Sequence, residues 1–222
     1  MSVARSGIDR SAETAGAVVA PLTPRGQRTR TKLIKSARAL FEKTGYLDTN
    51  INDIARHARV AYGTFYTYFS SKEEVFAEVV TALIADFRAI AHTEPRSGDG
   101  PSARIARANR AYLMAYQANA AMMAVLEQTG TFSPRLAQIR REARVFWVER
   151  AQRAFDSWQQ QGLVSPDLDP YYAATALGSM IDRSAYVWFV LGERFDLDTA
   201  VDQLTRMYCA ALGLPPPAPS AL

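Results

Sequence analysis

Side chains that can bind a polyanion are concentrated in one short segment of the sequence, between positions 49 and 72. Tyr62, Gly63 and Thr64 begin a short helical pattern in which the glycine lets a nucleic-acid backbone come close and the threonine hydroxyl can bond a base edge or a phosphate. Six further candidates carry hydroxyl or basic groups: Thr49, Arg59, Tyr66, Thr67, Tyr68 and Lys72. Lys72 also begins a predicted helix, where backbone N–H groups favour phosphate. For each of these side chains the alternative is a purely structural role.

The net positive charge lies in the same part of the chain. The chain carries a formal net charge of +4, whereas residues 25–75 hold ten Lys or Arg against five Asp or Glu, a net charge of +5. Residues 76–222 carry −1. This asymmetry predicts a polyanionic partner for the N-terminal part alone, the alternative being a solvated basic surface without a partner.

The sequence offers little that favours catalysis or a metal site. It contains no Gly-rich phosphate loop, nucleophile motif or metal-spaced cluster, and His57 and His92 are isolated. The single cysteine, Cys209, excludes an internal disulfide and is expected to be a small buried residue in a reducing compartment. No stretch reaches the ~18 continuous apolar residues of a membrane span, and residues 1–24 lack a signal-peptide core. We therefore expect a soluble cytoplasmic protein that is not an enzyme, binds no cofactor or metal and does not contact a membrane.

The elements that position these side chains are predicted to be helices throughout. Apolar residues recur at spacings of three and four, and no segment alternates like a strand. Asn50 with Asp53 forms a variant capping box before the second helix, and Ser70 or Ser71 can cap the fourth. The pattern predicts nine helices, at about 28–45, 51–58, 62–68, 72–92, 102–119, 120–129, 134–161, 168–191 and 198–212.

The helices are predicted to form a small N-terminal head and a larger C-terminal body. Residues 51–69 encode helix, three-residue turn and helix, the helix-turn-helix arrangement that enters a major groove. A stretch dense in Pro and Gly at 95–101 marks a loop between the head with its connecting helix and the body. The predicted organisation has four parts: a flexible arm at 1–24, a DNA-binding head at 25–75, a ligand-binding and dimerisation body at 76–214, and a Pro-rich tail at 215–222.

The segment from Lys32 to Val75 resembles the DNA-binding head of the tetracycline-repressor (TetR) family of regulators. It reads KLIKSARALFEKTGYLDTNINDIARHARVAYGTFYTYFSSKEEV. The residues that match in register are Ala37, Leu40, Phe41, Gly45, Thr49, Asp53, Ile54, Ala55, Gly63, Thr64, Tyr66, Phe69, Ser71, Lys72 and Glu73. The motif covers about a fifth of the chain. The resemblance implies that Tyr66 and Lys72 contact phosphate, that the last two helices form a dimer, and that a ligand releases the protein from DNA.

Two residues in the turn depart from the family pattern, which has a glycine and then a small hydroxyl residue where this chain has Arg59 and Ala61. Arg59 costs ~1 kcal/mol if the position needs a left-handed backbone, although it can also add a phosphate contact. Ala61 loses a possible cap of the recognition helix, again of order 1 kcal/mol. These departures keep open the alternative of a ligand-binding module that has lost DNA binding.

The middle helices are rich in methionine and aromatic residues, which suit an irregular apolar cavity with a few polar anchors. We expect a small apolar or amphipathic effector there, while ordinary core is the alternative for each residue. Arg144, Asp182 and Arg183 are the polar candidates, and Arg144 can receive an anionic group or form a salt bridge. The predicted ligand-binding residues are Tyr112, Tyr116, Met122, Met123, Phe132, Arg144, Phe146, Trp147 and Tyr186.

The predicted helix at 168–191 is apolar nearly all round, so it must be covered on several sides. One cover can be the chain's own core, and the other a second subunit. The predicted dimer residues are Leu177, Met180, Ile181, Trp188, Leu204 and Tyr208. A two-fold dimer would place two recognition helices one turn of DNA apart on a palindromic operator. We therefore expect a homodimeric repressor that a ligand releases by favouring one spacing of its two heads.

Overall fold

The computed structural model describes residues 23–91, 98–129 and 133–217. All regular structure in these ranges is helical, which confirms the predicted fold class. The nine helices are α1 (Pro24–Asp48), α2 (Ile51–His57), α3 (Tyr62–Tyr66), α4 (Lys72–Ala91), α5 (Pro101–Ala118), α6 (Ala120–Thr129), α7 (Pro134–Gln160), α8 (Pro170–Phe189) and α9 (Leu197–Ala211). Most of the predicted arm, Phe132 and the end of the predicted tail lie outside the described residues.

Helix α1 begins earlier than the apolar pattern predicts, at a proline that suits the first helical position. The Thr23 hydroxyl accepts a hydrogen bond from the Gly26 N–H at 3.2 Å and caps this end. At Gly45 the backbone turns left-handed, with φ 80°, and breaks the helix before its last short turn. This break is the helix end that the sequence predicts. The buried stripe of Leu33, Ala37 and Phe41 packs the helix against its neighbours, which include α4 and α6.

Helices α2 and α3 are joined by the tight turn that the sequence predicts. Asn50 caps α2 by accepting a hydrogen bond from the Asp53 N–H at 2.9 Å. In the turn, Arg59 has a left-handed backbone with φ 57°, and Ala61 precedes α3 without any side-chain cap. Both unfavourable features that the sequence suggests are therefore present. The five-residue α3 is too short to be stable by propensity, so it depends on the buried Phe65 ring.

Helix α4 belongs to both parts of the molecule. It begins with a capping box, in which the Ser71 hydroxyl accepts from the Glu74 N–H at 3.1 Å and the Glu74 carboxylate accepts from the Ser70 N–H at 2.6 Å. From there it packs on α1 and continues into contact with α5 and α7. A displacement in the body can therefore reach the head along this helix.

The body is a layered helical bundle in which α5 and α8 are central. Helix α5 packs against α8 and α9, α8 packs against α7, and α6 lies against α1. A buried hydrogen bond of 3.1 Å from the Asn109 amide to the Thr205 hydroxyl joins α5 to α9. Cys209 is buried, as predicted. No helix within the described residues is long and apolar enough to span a membrane.

Candidate nucleic-acid interface and ligand cavity

The outward edge of α3 consists of polar and aromatic groups fixed by the core beneath them. Tyr62 and Tyr66 are 51% and 48% exposed, although both are large aromatic residues. Their rings meet edge to face at 5.4 Å and their hydroxyl oxygens lie 3.0 Å apart. On the opposite side, the Phe65 ring is fully buried and packs 5.6 Å from Phe69. The helix therefore presents a defined surface to solvent.

Gly63 lies on this edge, and nothing in the chain itself requires a glycine there. The residue is helical, and a Cβ atom built on it would meet nothing within 4 Å. A glycine in a short helix weakens it relative to alanine. The free space is on the outside, so the position suits the close approach of another molecule's backbone.

The tyrosine pair can donate a hydrogen bond to an anion at neutral pH. The hydrogen bond with Tyr62, followed by partial loss of solvent, raises the pKa of the Tyr66 phenol above its ordinary value. In a hydroxyl pair only one proton is used between the two oxygens, so the other is free to donate. Thr67 is exposed beside them and Thr64 is half-buried. Tyr68 is half-buried and packs against the core of the head.

The structure places Thr49 differently from the sequence-based prediction. Its side chain is only 2% exposed. The hydroxyl donates to the carbonyl oxygen of Gly45 at 2.7 Å and lies 2.9 Å from the Thr44 hydroxyl. The side chain therefore fixes the turn after α1.

Lys72 is also engaged within the head. Its ammonium nitrogen donates to three carbonyl oxygens after the break in α1, those of Tyr46 at 2.8 Å, Leu47 at 3.2 Å and Thr49 at 2.8 Å. It also lies 4.5 Å from the centre of the Tyr46 ring. Burial lowers the pKa of the Lys72 ammonium. In the free chain, the side chain ties the start of α4 to the end of α1.

The positive charge of the head is divided between paired and available groups. Arg30 pairs with Glu78 at 2.7 Å, Arg38 with Glu42 at 2.8 Å, and Arg56 with Asp53. Six exposed cations of the head have no ion pair within the described ranges: Arg25, Arg28, Lys32, Lys35, Lys43 and Arg59. Of these, Arg59 lies in the turn that leads directly into α3.

The body contains a cavity of about 840 Å³. Four of the predicted ligand-binding residues line it: Tyr112, Met123, Arg144 and Trp147. Further apolar lining comes from Leu83, Phe87, Ile105 and Trp158. The lining also contains small residues, and arginines besides Arg144, that methionine and aromatic content does not predict.

The other described ligand-binding candidates do not line the cavity. Tyr116 and Met122 are fully buried core, with the Tyr116 ring stacked 6.0 Å from that of Phe189. Phe146 lies under the Arg88 guanidinium at 4.8 Å, and Tyr186 lies under that of Arg183 at 4.7 Å. Composition alone does not separate core, cavity wall and outer face on one helix, which explains why these four residues lie outside the cavity lining.

Asp182 is a polar anchor in the cavity wall, as the sequence suggests. It accepts a hydrogen bond of 2.6 Å from the Tyr112 hydroxyl, and both residues line the cavity. Burial, and then the charge of Asp182, raise the pKa of the Tyr112 phenol well above its ordinary value. Tyr112 therefore stays protonated and keeps its hydrogen bond to Asp182. Arg183 does not line the cavity.

Most of the predicted dimer residues are covered within the single chain. Leu177, Ile181, Leu204 and Tyr208 are buried, and Ile181 and Tyr208 line the cavity. Only Met180 and Trp188 keep partial exposure. The four buried residues belong to the chain's own core. A stripe of apolar residues in a sequence predicts a buried face, but it does not indicate whether the same chain or a second chain covers that face. The exposed positions on α8 and α9 include Tyr171, Tyr172, Ala176, Met207, Ala210 and Ala211.

Comparison with known sequences finds similarity to bacterial regulators, mainly in the N-terminal part of the chain. The sequence model of bacterial regulatory proteins of the tetR family matches residues 33–79. The HTH-type transcriptional regulator TcmR of Streptomyces glaucescens is 37% identical over 87 residues, which are 39% of this chain and 38% of TcmR. This chain therefore spans less than two fifths of TcmR. The HTH-type transcriptional repressor DhaR of Mycobacterium sp. (strain GP1) is 27% identical over 149 residues, 64% of this chain and 72% of DhaR.

Solved structures share the fold beyond the head. A TetR transcription regulator from Haloarcula marismortui superposes with a TM-score of 0.72 at 17% identity, over 84% of this chain and 98% of that chain. The fatty acid degradation regulator FadR from Bacillus halodurans superposes with a TM-score of 0.70 at 18% identity, over 85% of this chain and 96% of that chain. The likeness extends through the helical body.

Proposed function

We propose that the chain is a transcriptional regulator of the TetR family that binds double-stranded DNA through the outward edge of α3. The observation that carries the proposal is the exposed tyrosine pair, Tyr62 and Tyr66, around a glycine whose outer side is open. An edge of this kind fits a major groove for two reasons. The tyrosine hydroxyl groups can bond bases or phosphates, and the glycine has no Cβ atom to obstruct close approach of the duplex.

The charge of the head supports the same function. Arg59 and the unpaired cations along α1 supply the sequence-independent attraction to phosphate, which makes affinity for DNA fall steeply with salt. Lys72 and Thr49 contribute indirectly, since they fix the junction of α1 and α4 against which the reading helix is held. Such a function would be exercised in the cytoplasm, where the chromosome lies.

We propose that the regulator acts as a homodimer on a palindromic operator. Two copies packed through the exposed sides of α8 and α9 would bury Met207 and Tyr172, which are solvent-exposed in the single chain. With a two-fold axis at this contact, the two heads would bind the two equivalent halves of the operator.

We further propose that the protein is a repressor released by a small amphipathic molecule bound in the cavity. Two side-chain hydrogen bonds join the body to the head. The Ser133 hydroxyl donates to the Glu73 carboxylate at 2.5 Å, and the Arg38 guanidinium donates to the Asn119 side chain at 2.5 Å. A ligand that shifts α6 or α7 therefore alters how the head is held. It changes DNA affinity by its differential affinity for the two arrangements.

Binding of duplex DNA at low salt tests the proposal. The probes are the promoter region of the protein's own gene and duplexes selected from a random pool. Tyr66→Ala should lower affinity at least about tenfold, since it removes a hydrogen-bond donor and its ring from the reading edge. Met114→Ala, at an exposed large side chain on α5 outside both the reading edge and the proposed dimer face, is the control and should bind DNA as the wild type does. Equal affinities for all three proteins, or no duplex binding by the wild type, would contradict the proposal.

A further inference from the structure

Building on the proposed function, we propose that the effector is an elongated apolar molecule ending in an anionic group, and that Arg104 and Arg150 bind this group at the end of the cavity far from the head. The site is the cavity of the body, and the inference specifies the chemistry of its occupant.

The cavity is long. Its lining on α7 runs from Ala137 to Trp158, which at ~1.5 Å per residue corresponds to about 30 Å of helix. A volume of about 840 Å³ drawn out over that length suits a chain-like molecule. The apolar lining includes Leu83, Phe87 and Trp147, so most of such a molecule would be removed from water against hydrocarbon and aromatic surface.

The wall of this cavity carries an excess of positive charge. Among the described lining residues the arginines are Arg104, Arg140, Arg141, Arg144, Arg150 and Arg153, and the carboxylates are Glu127 and Asp182. Both carboxylates are already engaged, because Glu127 pairs with Arg140 at 2.6 Å and Asp182 accepts from Tyr112 at 2.6 Å. The remaining charge favours an anion over a neutral or cationic ligand.

Three of these arginines form a cluster at the end far from the head. Arg150 and Arg153 lie one turn apart on α7, and Arg104 on α5 places its guanidinium 5.6 Å from the centre of the Trp158 ring. Loss of solvent, and then the positive charges of Arg104 and Arg153, lower the pKa of Arg150. Within the described ranges neither Arg104 nor Arg150 has an ion-pair partner, and Glu149 lies 3.8 Å from Arg153. An anion would relieve this repulsion by bridging the guanidinium groups.

The two ends of the cavity give the orientation. Helix α7 begins at Pro134, next to the contact between Ser133 and the head, so Arg150 lies far from the head. The near end is lined by Met123 and Leu126 of α6, the helix that packs on α1. With the anionic group at Arg104 and Arg150, the apolar chain extends toward α6. A ligand that occupies the near end would then displace α6 and, through it, the head.

A matched set of probes tests this chemistry: dodecanoate, 1-dodecanol and dodecylamine, each below its aggregation limit. Trp147 and Trp158 line the cavity, so quenching of tryptophan fluorescence reports binding. Dodecanoate should bind at least about tenfold more tightly than either of the other two, because bonds to a charged partner are the stronger ones. Arg150→Met should weaken dodecanoate binding at least about tenfold while changing dodecanol binding little.

Arg194→Met is the control, because it removes one exposed cation from the loop between α8 and α9, outside the cavity. It should leave the affinity for dodecanoate unchanged. Arg104→Gln is the second test variant, and circular dichroism checks that each variant is folded. Equal binding of the carboxylate and the alcohol, or unchanged dodecanoate binding by both cavity variants, would overturn the inference. Because DNA binding without ligand is measured separately, that outcome would leave the proposed DNA-binding function standing.

Discussion

At the scale of single residues, the head separates side chains that hold it together from side chains that face outward. Sequence reasoning groups Lys72 with Tyr66 because both match a family motif, yet the structure places them on different sides of this division. Lys72 uses its donors on three carbonyl groups, whereas Tyr66 has its ring exposed. Residue type predicts which groups a side chain can bind. The path of the backbone determines whether such groups of the same chain lie close enough to occupy it.

Arg59 occupies a backbone conformation that L-residues disfavour, with φ 57°. Arg59→Gly should raise the free energy of unfolding by about 1 kcal/mol, because glycine adopts this conformation without a steric penalty. Thermal and urea unfolding followed by circular dichroism measure the change. Arg56→Gly, three residues earlier in α2, is the control and should lower stability, since glycine weakens a helix. A stability loss for Arg59→Gly would show that the side chain contributes more than its strained backbone costs.

Lys72→Met should lower the free energy of unfolding by about 1 kcal/mol. The substitution leaves three carbonyl oxygens without their shared donor, and the partial exposure of the site lets water replace some of the loss. Lys35→Met removes an exposed lysine without an ion pair in the described ranges and should change stability by less than about 0.5 kcal/mol. Comparable unfolding curves for the two variants would remove Lys72 from its proposed structural role.

At the scale of elements, capping signals and apolar periodicity predict where helices begin and end. Asn50 caps α2 and Ser71 caps α4, as the sequence indicates, and the predicted turn after α2 is present. These features are local, so neighbouring residues are sufficient to predict them. The cavity wall is different, because Arg104 of α5 and Arg150 of α7 line one cavity only in the folded bundle. No spacing within one helix encodes that meeting.

The start of α7 joins the body to the head. The Ser133 hydroxyl accepts from the Leu136 N–H at 3.2 Å and donates to Glu73. Ser133→Ala should therefore lower the free energy of unfolding by about 1 kcal/mol and, by loosening the head, weaken DNA binding severalfold. Asp196→Ala removes the cap of α9 and should cost similar stability without changing DNA affinity. Identical DNA affinities for these two variants would argue against the contact as a coupling point.

At the scale of the whole molecule, the sequence predicts a head on a helical body but not which apolar surface faces a partner chain. Four of the residues proposed for the dimer are internal, because α5 and α7 cover one side of α8 and α5 covers one side of α9. The face that remains available to a second copy consists of residues that are exposed in the folded chain. Their exposure is known only from how the helices pack. Apolar area alone does not reveal it from sequence, since a monomer core and a dimer interface have similar composition.

Two methionines of similar exposure test the proposed dimer face. Met207 on α9 is 51% exposed and Met114 on α5 is 53% exposed. Met207→Asp should shift the protein from dimer to monomer in analytical ultracentrifugation, because it places a charge in an apolar contact between copies. Met114→Asp should leave the dimer intact. Dissociation by Met114→Asp alone would move the interface to the other side of the body.

Substitution of Gly63 tests the central claim, that the open edge of α3 lies against duplex DNA. Alanine fits the free protein, since its Cβ atom meets nothing within 4 Å, and it should stabilise α3 by up to about 1 kcal/mol. The measurement is the affinity of wild type and Gly63→Ala for the same selected duplex, by fluorescence anisotropy. We expect Gly63→Ala to be at least as stable as the wild type and to bind the duplex at least about tenfold more weakly. An equally stable variant that binds the duplex with unchanged affinity would contradict the account.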